Sequence, residues 1–138
     1  MNKLYSVISV GHDNDKLKLS IELAITSASE NNVGIVIFVP AKNDLQSSVL
    51  GKIFEASFIK GLLNNKESSI NNIPVTLISS KNPPLSINGV LLTLWTTEKM
   101  IIQLNEYLNL KTLNAVVIQS SNPIDIEQWC KTNNVINT

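Results

Sequence analysis

Arginine is absent from this chain. All eleven cationic side chains are lysine, and eleven acidic ones balance them to a net charge of zero. Guanidinium forks to phosphate, carboxylate or guanine are therefore excluded, and with them arginine-mediated reading of DNA. Balanced charge without a basic tail argues against nucleic acid as a partner. Cys130 is the one cysteine, so no intramolecular disulfide can form. His12 is the one histidine; without a second His or a Cys cluster, a metal site is not expected. No apolar run approaches the roughly 18 residues of a membrane span, so no membrane partner is expected. The opening MNKLYSVISVG is too short and too interrupted by serine for a signal peptide. A cytoplasmic protein is expected.

Motifs are missing as well. There is no G-x-G-x-x-G, H-E-x-x-H, C-x-x-C, EF-hand loop or G-x-S-x-G elbow. Gly51-Lys52 resembles the end of a phosphate loop, but no glycine stands five residues earlier and Ile53 replaces the required Ser or Thr.

What remains is a globular composition. The 138 residues are 43% hydrophobic and only 16% charged, with Asn and Ser supplying much of the polarity. One domain, residues 1–138, is expected at this length. Five segments read as strands: 5–10 (YSVISV), 33–39 (VGIVIFV), 73–79 (IPVTLIS), 89–95 (GVLLTLW) and 113–119 (LNAVVIQ). Short, nearly continuous apolar runs signify strands buried on both faces, as in a parallel sheet covered by helices.

Helical spacing predicts four helices between and after them. Segment 15–30 carries Leu17, Ile21, Ala24 and Ala28 on one stripe, although KLKLSIEL also alternates like a hairpin strand; length and rhythm favour the helix. Segment 50–63 is apolar around more than half its circumference. Segment 98–108 has Thr97 as its N-cap and a stripe of Met100, Ile101, Leu104, Tyr107 and Leu108. The last helix has Asn122 as N-cap, Pro123 first and Asp125 third, and buries Ile126, Trp129 and Cys130.

The order β-α-β-α-β-β-α-β-α predicts an α/β fold: a three-layer Rossmann-like sandwich on a mostly parallel five-stranded sheet. The third and fourth strands are joined without a helix. Residues 81–88 span at most about 28 Å, which permits either a parallel crossing or an antiparallel pair.

In such sheets ligands bind beyond the carboxyl ends of the strands. Reading the exits gives Gly11, Lys42, Lys81, Thr96, Thr97, Lys99, Ser121 and Asn122 as candidate ligand-binding residues. Lysines and helix N-termini on one rim suit a small anionic molecule, while capping alone also accounts for most of the Asn, Ser, Thr and Asp. His12 with Asp13 or Asp15 forms a weak candidate for acid–base catalysis; a loop histidine beside capping residues is the better reading. Cys130, on a buried stripe, reads as a core residue.

Three functions are open on these residues. A non-enzymatic module binding a ligand or a protein comes first. A structural subunit comes second. A hydrolase or transferase acting on a small phosphorylated substrate is the alternative at the same rim. The broad apolar face of helix 50–63 also predicts a homo-oligomer, with a two-fold dimer the commonest form.

Overall fold

The computed structural model describes residues 3–9, 13–41, 44, 53–65, 67–108, 112–120, 123–133 and 135–137. In chain order these form β1 (Lys3–Ile8), α1 (Asn14–Asn31), β2 (Ile35–Val39), α2 (Ala56–Asn65), β3 (Glu67–Ile70), β4 (Ile73–Ser79), β5 (Gly89–Thr93), α3 (Glu98–Tyr107), β6 (Leu113–Ser120), α4 (Pro123–Thr132) and β7 (Ile136–Asn137). The strands make one sheet in the order β3-β4-β2-β5-β6-β1-β7. Every pairing is parallel except that of β3 with β4. The chain is thus an α/β protein with a mostly parallel sheet.

The expected five strands are all present, with shifted ends. The first lies at Lys3–Ile8, two residues before its expected start. The second begins at Ile35, because Val33 still donates to Ala28 at the end of α1. The fourth stops at Thr93, where the chain bends. Two further strands correct the count and the order. β7 is a two-residue pairing with β1. β3 (ESSI) is an antiparallel partner of β4, reached through Asn71 and Asn72, whose φ angles are 50° and 66°. Two left-handed residues between paired strands make a tight hairpin whose twist matches the sheet, and asparagine tolerates that region.

Alternate residues along each central strand enter two separate cores. Ile35, Ile37, Val90, Leu92, Ala115 and Val117 face α1 and α2. Val36, Phe38, Leu91, Val116 and Ile118 face α3 and α4. This is why β2, β5 and β6 read as unbroken apolar runs.

α1 settles the ambiguity of KLKLSIEL as a helix. Leu17, Ile21, Ala24 and Ala28 are buried, Asp13 accepts the Lys16 N–H at 3.0 Å, and Asn32 closes the helix in the left-handed region. α3 has the expected stripe, with Thr97 accepting the Met100 N–H at 3.3 Å. α4 buries Ile126 and Trp129; its expected cap, Asn122, lies outside the described residues.

The expected helix 50–63 is corrected. Residues 50–52 lie outside the described part, and the helical run is broken at Phe54 and Glu55. α2 starts afresh where the Glu55 carbonyl accepts the N–H groups of Phe58 and Ile59. Phe54, Phe58 and Leu62 are buried, and Ile53, Ile59 and Leu63 pack against the same core. Much of the described apolar circumference is therefore covered within the chain, with Ile53, Ile59 and Leu63 only partly so.

β4 and β5 are parallel and flank β2, so segment 80–88 returns along the length of the sheet without a helix. It is a strap, pinned from beneath. Tyr107 donates a 2.6 Å hydrogen bond to the Pro84 carbonyl, and Thr112 another of 2.6 Å to that of Ile87. Ile87 is buried, while Leu85 stands fully exposed. Burial, with a smaller push from Glu106, raises the Tyr107 phenol above its ordinary 10.0. Folding then favours the protonated phenol. Its contribution is complete below the unfolded value and is lost as pH rises through the folded one. Tyr107→Phe is expected to cost about 1 kcal/mol at neutral pH and to flatten the alkaline fall in stability, read by urea unfolding. An unchanged alkaline slope would show that another group governs it.

Candidate functional site

The parallel strands β4, β2, β5, β6 and β1 all end on one edge. The chain leaves β2 toward the α1–α2 side and β5 toward the α3–α4 side. Adjacent strands whose connections diverge in this way leave a crevice between their carboxyl ends. One such crevice lies at the β6–β1 boundary, where β6 leads to α4 and β1 to α1, and another at the β2–β5 boundary.

Beside it, the residue after Leu94 adopts an unusual backbone. Trp95 has a φ of 51°. The left-handed region costs a non-glycine residue roughly 1–2 kcal/mol, and bulky residues seldom occupy it. Its conformation is held by β6. The Gln119 side-chain oxygen accepts the Trp95 N–H at 2.7 Å, and the Gln119 carbonyl accepts both the N–H (3.1 Å) and the hydroxyl (2.7 Å) of Thr96. Thr96 Oγ1 thus donates to Gln119, which leaves the Thr93 hydroxyl to donate to Thr96 at 2.7 Å. Ser120 Oγ reaches the Thr96 carbonyl at 3.5 Å.

A second link ties the exit of β4 to α3. Ser80 donates to Val39 through its N–H and to Gln103 Oε1 through its hydroxyl at 2.7 Å, and Gln103 Nε2 donates back to the Ser80 carbonyl at 3.0 Å. Lys99 lies one turn before Gln103 on the same helix face, and Lys81 follows Ser80. The link therefore sets Lys81 beside the middle of α3, on the face that carries Lys99 one turn nearer the positive end of the helix, where the exposed Glu98 also stands. Both lysines are exposed, and among the described residues the one ion pair is Lys131–Glu127.

The candidate residues thus divide. Lys81, Thr97 and Lys99 gather at the β4–α3 corner. Thr96 lies buried beside them, its hydroxyl engaged, and Thr97 caps α3. Asp13 and Asp15 sit at the exit of β1, two strands from β5, or roughly 10 Å at the usual strand spacing. Asp13 is engaged as the cap of α1, Asp15 is exposed, and the Lys16 ammonium donates to the Ile8 carbonyl at 2.7 Å. Gly11, His12, Lys42, Ser121 and Asn122 lie outside the described residues.

Cys130 is half-buried against the α3–α4 core. Burial pushes its thiol above the ordinary 9.0, while a hydrogen bond with Ser6 acts in the opposite direction. That favours a neutral thiol over a nucleophilic thiolate. Among the described residues, no three His, Cys, Asp or Glu side chains gather as a metal site, and no helix is long and apolar enough to cross a membrane.

The reading of strand exits missed Gln103 and Gln119. Each is an ordinary amide in sequence, and its partner lies 23 or 24 residues away. It also missed a groove of about 400 Å³ beside the strap, bounded by Val36, Thr76, Ile78, Pro84 and Ile87 among others and lined by no ionisable group. The groove arises because an extended segment covers this part of the sheet in place of a helix. No known protein family, curated protein or solved structure matches the chain.

Proposed function

We propose that the chain is a non-enzymatic, cytoplasmic binding module with a Rossmann-like, three-layer arrangement, and that it holds a small anionic molecule at the β4–α3 corner of the strand-exit rim. The layered reading rests on the two cores on opposite sides of a mostly parallel sheet. The observation that carries the ligand reading is the Ser80–Gln103 link, which sets the exposed Lys81 beside α3, on the face that carries the exposed Lys99. Lysine ammoniums and helix N-termini both stabilise phosphate. Catalysis is disfavoured because the polar groups of the described rim are consumed in holding one another. Thr96 is bonded to Thr93 and Gln119, Gln103 to Ser80 and the Gln119 side chain to Trp95, and Asp13 caps its own helix.

The test is thermal unfolding against inorganic phosphate, nucleotides and sugar phosphates. A ligand at a hundred times its dissociation constant is expected to stabilise the fold by about 2.7 kcal/mol, a shift of several degrees at this size. Lys81→Ala and Lys99→Ala should each diminish that shift while leaving the unliganded melting temperature unchanged. A flat panel would overturn the anionic ligand and leave a protein partner as the module's function.

A further inference from the structure

A second site lies on the opposite side of the sheet, where α2 begins. Two spaces meet there across a common wall of Phe54, Phe58 and Ile70. The outer space, about 300 Å³, opens to solvent past Glu55, Ser69 and Asn71. The inner one is a void of about 10 Å³ among Ile21, Ile25, Ile37, Val75 and Leu92. It is room for about one water, but no polar atom of a side chain faces it, so it stays dry. The wall is thin. Phe54 and Phe58 lie with ring centroids 4.6 Å apart and are each 7% exposed. Both belong to the stretch where the helical run breaks and restarts at Glu55. Joining the two spaces requires one of these rings to leave the wall.

We propose that this is a binding site for a small cationic amphiphile, an amine bearing an aromatic ring or a short alkyl chain. The chain or ring replaces a phenylalanine ring against the isoleucines of α1 and β2. The ammonium stays at the mouth beside Glu55, the one ionisable residue of the lining among the described residues, with Ser69 and Asn71 as further hydrogen-bonding groups. Ligand sites commonly combine a mostly apolar wall with a few polar groups that fix orientation. The site is independent of the rim, so either can fail without the other.

The experiment is a methyl-resolved NMR titration of the full chain with hexylamine, phenethylamine and, as a charge-reversed match, hexanoate. Both amines are expected to shift the methyls of Ile25, Val75 and Leu92 in a saturable way. Hexylamine should bind about five-fold more tightly than hexanoate, the scale of one exposed charge. Glu55→Gln should erase that preference while keeping the methyl shifts. Val75→Ile adds a methyl to the void. It should hold or raise the melting temperature and weaken the amines about four-fold. Absence of methyl shifts in the unmodified protein would overturn the site, as would shifts confined to the outer space. Equal binding of amine and carboxylate would overturn its cationic selectivity.

Discussion

Gly89→Ala is expected to cost about 2–5 kcal/mol, combining a left-handed non-glycine residue with overpacking. Gly89 opens β5 at φ +87°, and a Cβ there would lie 2.4 Å from the Gly34 carbonyl oxygen. The obstructing atom is backbone and has nowhere to go. The same oxygen accepts the Val90 N–H at 3.0 Å, and Gly89 itself donates to Thr112 at 2.9 Å. Movement would break pairings on both sides of a central strand, at a point where the β5–β6 register already shifts. Gly34→Ala provides the comparison. Its Cβ would meet the Pro74 carbonyl oxygen at 2.9 Å without a positive φ, so only the overpacking part, about 1–3 kcal/mol, applies. Urea unfolding followed by circular dichroism gives both values. A smaller loss for Gly89→Ala than for Gly34→Ala would show that β5 does not begin in this conformation.

The central sheet was legible because parallel strands buried on both faces leave unbroken apolar runs, as in IVIFV, whose residues are buried throughout. Helices α1 and α3 were legible for a different reason. Asp13 and Thr97 announce their starts, and their caps form as expected. Edges were not legible. ESSI has one apolar residue in four and pairs only because the Asn71–Asn72 turn folds it back onto β4. The break at Phe54–Glu55 was hidden because Phe54 and Phe58 keep helical spacing across it.

The site was less legible than the fold, for a physical reason. Strand exits can be located from sequence, so the position of Lys81, Thr96, Thr97 and Lys99 on one rim follows from the strands alone. Which groups are already committed cannot be found that way. Thr96 looks available in sequence, but its hydroxyl is engaged with residues of two strands. Gln103 and Gln119 look unremarkable, but they determine where the loops lie. Caps act over three residues and can be read locally; these links act over more than twenty.

Gln119→Met should cost about 1–3 kcal/mol, the penalty for stranding a partly buried donor. Methionine keeps the length and volume of the side chain while removing the oxygen that accepts the Trp95 N–H. The Gln119 backbone still accepts from Thr96, so β6 should remain paired and the loss should report the one bond. Two roles for that bond can be separated. If it only satisfies a donor, the loss is the same whatever residue stands at 95. If it holds the backbone in the left-handed region, the loss shrinks when residue 95 adopts that region freely. Trp95→Gly supplies this background, since glycine enters the region without a Cβ penalty. The expected coupling between the two substitutions is about 1 kcal/mol, on the scale of the strain itself. Additive losses would assign Gln119 a purely structural role and remove the strained tryptophan as a feature of the β2–β5 crevice. A coupled pair would mean that the Gln119 side chain holds the Trp95 backbone in the left-handed region, and with it the turn by which the chain leaves β5 for α3.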